Sequence, residues 1–91
     1  MPKTDDIIQV LIVDDEQNIR EGSERILSRV GFEVLKASTG TEALDILAQQ
    51  TIPIVLLDLK MPGMDGMEVL SRIQGFDEPI LVIVITGFAT V

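Results

Sequence analysis

Residues 54–66 decide the fold, and they read Ile-Val-Leu-Leu-Asp-Leu-Lys-Met-Pro-Gly-Met-Asp-Gly. The apolar start is typical of a short strand that is buried on both faces of a sheet. Pro62 and Gly63 end this strand, because proline cannot donate to a ladder and glycine tolerates turn geometry. Asp58 therefore stands at the carboxyl end of a buried strand, the edge where open α/β sheets bind their ligands.

The rest of the chain alternates between strand patterns and helix patterns. Strands are predicted at residues 7–13, 32–37, 51–58 and 80–85. Helices are predicted between them, at residues 17–30, from about 40 to 49, and between Asp65 and Gly75. Alternation of this kind implies parallel strands joined by right-handed crossovers. We therefore predict an α/β fold built on a parallel sheet.

Capping signals mark the ends of these helices. Gly31 is expected to end the first helix. Thr39 and Glu42 form a capping box for the second helix, and Asp65 and Glu68 form one for the third.

Each helix carries an apolar stripe at helical spacing. The stripe residues are Ile19, Ile26, Leu27 and Val30, then Ala43, Leu44, Ile46 and Leu47, then Met67, Leu70 and Ile73. The charged residues of the first helix are expected to face solvent: Arg20, Glu21, Glu24, Arg25 and Arg29.

Composition excludes several classes of function. The 91 residues fit one domain at most, and 46% hydrophobic residues allow a globular core. The absence of Cys and His excludes thiol chemistry, zinc fingers and imidazole bases. A net charge of −8 argues against direct nucleic-acid binding. Residues 1–6 lack the features of a signal peptide, and the longest apolar run is too short to cross a membrane, so a cytoplasmic protein is expected.

Three predicted strands end in polar residues, namely Asp14 and Asp15, Asp58, and Thr86. Parallel strands place their carboxyl ends on one edge, so the three carboxylates share a pocket if the first and third strands are neighbours. Two like charges about 4 Å apart repel by roughly 4 kcal/mol at an effective dielectric of 20. Such a cluster needs a proton or a cation, and oxygen ligands beside open loops suit Mg²⁺.

This arrangement is suited to phosphoryl chemistry. A carboxylate held against Mg²⁺ can attack phosphorus and give an aspartyl phosphate, while the metal offsets repulsion of the incoming group. Thr86 can offer its hydroxyl to a phosphate oxygen, and the Gly87 amide can approach closely because glycine has no side chain.

These motifs resemble the receiver domain of two-component response regulators. The matching residues are Asp14-Asp15, Asp58 with Met-Pro-Gly-Met-Asp-Gly at 61–66, and Thr86-Gly87. Residues 86–91 are similar to receivers of the sigma-54-dependent, nitrogen-regulatory type. The resemblance implies a doubly wound parallel sheet of the flavodoxin-like receiver fold, with strand order 2-1-3-4.

The resemblance also implies a role for each site residue. Asp58 would accept a phosphoryl group from a sensor histidine kinase. Asp15 would bind Mg²⁺ directly, Asp14 mostly through water, and the Lys60 backbone carbonyl would be a further ligand. Thr86 would follow the phosphorylation state.

The family pattern extends beyond what this sequence contains. Receivers have a fourth crossover helix, a fifth strand ending in lysine and a last helix, and Lys60 is not assumed to replace that lysine. We therefore expect residues 1–91 to be a partial receiver domain, with residues 1–6 as a flexible N-terminal arm. The run from Ile80 to Ile85 would form an exposed apolar edge, which predicts self-association.

The function expected is that of a phosphoacceptor signalling domain that switches an output domain, with transcriptional regulation as the outcome. It would not be an enzyme beyond self-catalysed phosphotransfer and slow autodephosphorylation. One alternative is an interaction module that is never phosphorylated. Another is a phosphohydrolase with an aspartyl nucleophile, but such enzymes place a second Asp two residues later, where this chain has Lys60.

Overall fold

The computed structural model of the chain describes residues 7–61 and 66–85, in which strands and helices alternate. The elements are β1 (Gln9–Val13), α1 (Gln17–Arg29), β2 (Glu33–Ala37), α2 (Gly40–Gln49), β3 (Ile54–Asp58), α3 (Gly66–Ile73) and β4 (Leu81–Ile85). This is the predicted order. The strands begin one to three residues later than predicted; Ile7 and Ile8, for example, are exposed and precede β1.

The four strands form one parallel sheet with the order β2-β1-β3-β4. The doubly wound architecture is therefore confirmed, and so is the expected strand order 2-1-3-4. In the register, Val13 at the end of β1 lies opposite both Ala37 and Leu57. Because β1 and β3 are neighbours and run in the same direction, the residues that end them come to the same edge of the sheet.

The main core lies between the sheet and helices α2 and α3. Alternate residues of β1 and β3 point to this face and are buried there, and the helices contribute residues spaced four apart. The members are Leu11, Val13, Val55 and Leu57 from the strands, and Ala43, Leu47, Val69 and Ile73 from the helices. Of the predicted apolar stripe of α3, Ile73 lies in this core and Leu70 packs against it, but Met67 does not. Its side chain is 55% exposed, because it lies two positions from Val69 and so points to another side of the helix.

Helix α1 packs against β1 and β2 and ends as predicted. Gly31 has φ +104°, and the amides of Gly31 and Phe32 donate to carbonyls of the last turn of the helix. The predicted apolar stripe is only partly buried: Ile19, Ile26 and Val30 are 47%, 64% and 67% exposed. Within residues 7–61 and 66–85, α2 and α3 cover the opposite face, so no neighbouring helix buries this stripe.

Strand β4 forms the edge of the sheet beside β3. Four of its five residues are large apolar side chains that are 39–60% exposed, Leu81, Ile83, Val84 and Ile85. The expected exposed apolar edge is therefore present. None of the helices in the described ranges is long and apolar enough to cross a membrane.

Candidate metal centre

The turn between β1 and α1 is shaped by Asp14. Its amide donates to the Ala37 carbonyl at 3.1 Å, which extends the pairing with β2 by one residue. Its Oδ1 accepts a hydrogen bond from the Glu16 amide at 2.9 Å, a local bond that favours a turn over continued strand. The carboxylate of Asp14 is thereby held in a buried position, 7% exposed, while the next residue, Asp15, is exposed.

Asp58 ends β3 with the same kind of local bond. Its Oδ1 accepts from the Lys60 amide at 3.0 Å, and its side chain is half-buried. As far as the described residues go, no hydrogen bond reaches the second carboxylate oxygen of Asp14 or Asp58. Each of these two acids is therefore oriented through one oxygen and has the other free for a cation.

The three predicted acids form a compact cluster. Ligand oxygens of Asp14, Asp15 and Asp58 all lie within 4.8 Å of one another. Burial raises the pKa of Asp14 above its ordinary value, and the negative charges of Asp58, Asp15 and Glu16 raise it further, although the hydrogen bond from the Glu16 amide acts in the opposite direction. A set of hard oxygen donors that forms no ion pair with the described residues fits a divalent cation such as Mg²⁺.

The other predicted site residues are less fully described. Lys60 is exposed, and its amide orients Asp58, but the use of its carbonyl as a metal ligand stays a prediction. Thr86 and Gly87 lie outside the described residues, as do Met64 and Asp65.

Sequence reasoning missed the role of Gly66. A Cβ at this position would lie 2.5 Å from the Leu59 Cα and 2.8 Å from the Asp58 carbonyl oxygen. The absence of a side chain therefore lets the start of α3 pack directly on the backbone that follows Asp58. The available signal was a glycine at the start of a predicted helix, shortly after the key carboxylate.

The interpretation of Arg20 as a solvent-facing residue was wrong. Arg20 is half-buried, and its Nη1 donates to the Asp14 backbone carbonyl at 2.7 Å. The side chain therefore reaches back from α1 to the turn that carries the acidic pair. Only its position in the first turn of the helix that follows these acids could have indicated this contact.

Comparison with known proteins agrees with this geometry. The sequence pattern of the family described as response regulator receiver domain matches residues 10–91. A curated relative, sporulation initiation phosphotransferase F of Bacillus subtilis, is 41% identical over 80 residues. The match covers 88% of this chain, and the chain spans 64% of the length of that relative.

Solved structures show the same similarity. TrrA from Thermotoga maritima, determined in complex with Mg²⁺-BeF, superposes with a TM-score of 0.86 at 35% identity, over 91% of this chain and 72% of that one. The complex of histidine kinase ThkA with TrrA gives a TM-score of 0.85 at 34% identity, over 92% of this chain and 72% of the matched one. By sequence pattern, relatives and fold, the chain belongs to the response regulator receiver domain family.

Proposed function

We propose that this chain is a phosphoacceptor that takes a phosphoryl group on Asp58 with the help of Mg²⁺. The observation that carries the proposal is the cluster of Asp14, Asp15 and Asp58, whose ligand oxygens lie within 4.8 Å of one another. Asp14, Asp15, Asp58 and the Lys60 carbonyl are the proposed metal ligands. The relative determined with Mg²⁺-BeF supports the choice of metal.

The surroundings of the three acids favour Asp58 as the acceptor. Asp14 is buried, so it is the least accessible of the three acids to an incoming phosphodonor. Asp15 is exposed, and in the part of the chain that the structure describes no hydrogen bond orients its carboxylate. Asp58 is half-buried and fixed through one oxygen by the Lys60 amide, and among the described residues no hydrogen bond reaches its other oxygen. An oriented carboxylate with a free oxygen is what attack on phosphorus requires.

In the proposed step, the free oxygen of Asp58 forms a bond to phosphorus while the bond from phosphorus to the donor breaks. With a phosphohistidine donor, the electron pair of the broken P–N bond stays on the imidazole, which then takes up a proton. Mg²⁺, when bound, would offset the charge on the transferred group. Thr86 would contact a phosphate oxygen through its hydroxyl, and Gly87 through its amide.

The proposed partner in the cell is a sensor histidine kinase, as the relative determined with such a kinase suggests. The phosphoryl group adds about −1.5 to −2 charges, which would bias an existing conformational equilibrium toward the active state. The loop that begins at Thr86 is the proposed moving segment. An output domain that regulates transcription would read the change.

The remaining proposals concern the setting of the domain. The receiver domain would work in the cytoplasm. It would act as a signalling domain, with no catalysis beyond its own phosphorylation and slow dephosphorylation. The exposed edge of β4 would support self-association.

Phosphorylation by a small donor tests the proposal directly. The chain and a longer chain that contains the rest of the receiver are incubated with Mg²⁺ and acetyl phosphate, and their intact masses are followed. We expect a gain of one phosphoryl group in the unchanged protein and in Asp45→Asn, an exposed acid of α2, but no gain in Asp58→Asn.

The same experiment separates the alternatives. If the longer chain neither gains mass nor binds beryllofluoride with Mg²⁺, the phosphoacceptor proposal fails and a module that only binds other proteins is favoured. Multiple turnover of a phosphomonoester that depends on Asp58 would instead indicate a phosphohydrolase.

A further inference from the structure

We propose that Arg20 is a positioning residue for the candidate metal centre, because its guanidinium group fixes the peptide that joins Asp14 to Asp15. The inference rests on the proposed function. It starts from the hydrogen bond that Arg20 Nη1 donates to the Asp14 carbonyl at 2.7 Å. A charge-assisted bond of this length is stronger than a bond between neutral groups.

The bond completes the anchoring of Asp14. The Asp14 amide is held by the Ala37 carbonyl, and its Oδ1 is held by the Glu16 amide. The carbonyl is the remaining polar group of the Asp14 backbone, and Arg20 holds it. The amide, the carbonyl and one carboxylate oxygen of Asp14 are thus bonded to neighbours from β2, from α1 and from the turn.

Fixing this carbonyl also orients Asp15. A peptide unit is planar, so the direction of the Asp14 carbonyl determines the direction of the Asp15 amide and the position of the Asp15 Cα. In residues 7–61 and 66–85, no hydrogen bond holds the exposed Asp15 side chain itself. The position of the Asp15 carboxylate relative to Asp58 therefore depends on the backbone that Arg20 holds in place.

Arg20 is suited to this role by its own anchoring. Its amide donates to the Glu16 carbonyl at 3.0 Å, so the helix fixes its Cα while the side chain reaches back to the turn. Within the described part of the chain it forms no ion pair that would compete for the guanidinium group. The side chain lines an open polar cavity of about 280 Å³, together with residues such as Lys36 and Glu42. Its removal would therefore leave no hole in the hydrophobic core.

Magnesium binding by matched variants tests the role. Arg20→Met removes the donor but keeps a long side chain that favours helix. Arg25→Met makes the same change of charge at an exposed position of α1 and serves as the control. Isothermal titration calorimetry with Mg²⁺ should show affinity weaker on the order of tenfold for Arg20→Met, as for other residues that orient metal ligands, and unchanged for Arg25→Met. Arg20→Lys, which keeps a single donor without the guanidinium geometry, should lie between Arg20→Met and the unchanged protein.

Several results would overturn the inference. Equal Mg²⁺ affinity of Arg20→Met and the unchanged protein would do so, and so would an equal loss in Arg25→Met. Urea unfolding of each variant gives the fraction of protein that is folded. If Arg20→Met is less stable but its folded form binds Mg²⁺ with unchanged affinity, then Arg20 is merely structural.

A second readout separates this inference from the proposed function. If the unchanged protein binds no Mg²⁺, the proposed function fails, and Arg20 is then judged on the metal-free protein. Amide ¹⁵N shifts and hydrogen exchange at Asp15 and Glu16 should change in Arg20→Met but not in Arg25→Met. If the two variants give the same shifts and exchange rates, the positioning role is refuted as well.

Discussion

Replacement of Asp14 by Asn should stabilise the metal-free protein while weakening Mg²⁺ binding. Asp14 is 7% exposed, so the environment of its charge is set by the protein more than by water. Its Oδ1 accepts from the Glu16 amide, and the carbonyl oxygen of an asparagine side chain can accept the same bond. The substitution Asp14→Asn therefore removes a negative charge and leaves shape and local bonding nearly unchanged.

The size of the effect follows from the spacing of the acids. Oxygens of Asp14 lie within 4.8 Å of those of Asp15 and Asp58, where one pair of unit charges repels by about 3.5 kcal/mol at a dielectric of 20 and about 0.9 kcal/mol at that of water. Asp15 is exposed and Asp58 is half-buried, so solvent screens part of this repulsion. We expect the free energy of unfolding to rise by about 1–3 kcal/mol.

Urea unfolding at neutral pH measures this change, first with EDTA and then with excess Mg²⁺. Far-UV circular dichroism is the suitable probe, because the chain has no Trp or Tyr. Mg²⁺ at 100 times its dissociation constant should stabilise the unchanged protein by about 2.7 kcal/mol, and Asp14→Asn by much less. When Mg²⁺ is added, the difference in the free energy of unfolding between Asp14→Asn and the unchanged protein should therefore become smaller or change sign.

Asp45→Asn is the control, because it makes the same change of charge at an exposed site of α2. If Asp14→Asn is no more stable than the unchanged protein without metal, then repulsion within the cluster does not lower the free energy of unfolding as we infer. An equal gain in Asp45→Asn would mean that net charge, and not the cluster, sets the stability.

Three further predictions concern packing, pH and capping. Gly66→Ala should lower the free energy of unfolding by about 1–3 kcal/mol in urea, because its Cβ would meet the Leu59 Cα at 2.5 Å; Gly22→Ala, with nothing within 4 Å, should instead raise it by up to about 1 kcal/mol. The pKa of Asp14 is raised in the folded state, so Asp14 should contribute less to stability as the pH rises from 3.8, the ordinary pKa of an Asp, through the raised pKa. Thermal melts without metal should show this fall in the unchanged protein and not in Asp14→Asn. Thr39→Ala should cost about 1 kcal/mol in the same urea assay, because the Thr39 side chain accepts from the Glu42 amide.

The fold was predictable because its signals are local. Uninterrupted apolar runs indicated buried strands, and Thr39 with Glu42 indicated the start of α2, where the structure has the expected cap. In detail the Glu42 carboxylate accepts from the Ser38 amide, one residue earlier than the standard capping box. The alternation of strands and helices then left a parallel sheet as the natural arrangement.

Predictions failed where burial depends on more distant parts of the chain. Ile26 and Val30 follow a helical stripe, but a stripe is buried only where another element covers it. Similarly, Val69 and Ile73, but not Met67, face the sheet, because the orientation of α3 is set by packing and not by hydrophobicity alone.

The site likewise contains features that the sequence predicts and features that depend on tertiary packing. Asp14, Asp15 and Asp58 could be brought together from sequence, because strand order and strand ends suffice for it. The bond from Arg20 to Asp14 depends on side-chain reach, and the close contact of Gly66 depends on where α3 begins. Neither the Arg20–Asp14 bond nor the Gly66 contact can be recognised from the composition or the periodicity of the sequence.

The buried side chains of β1 and β3 stabilise the fold enough to hold the acidic cluster together. Burying one Leu or Val side chain stabilises a fold by about 1.5–3 kcal/mol. Leu11, Val13, Val55 and Leu57 are almost fully buried in the two strands that end at the cluster. Together they outweigh a repulsion of about 3.5 kcal/mol for one pair of acids. The fold can therefore hold Asp14 and Asp58 close together without a cation, so the proposed metal would relieve repulsion at a site that is already formed.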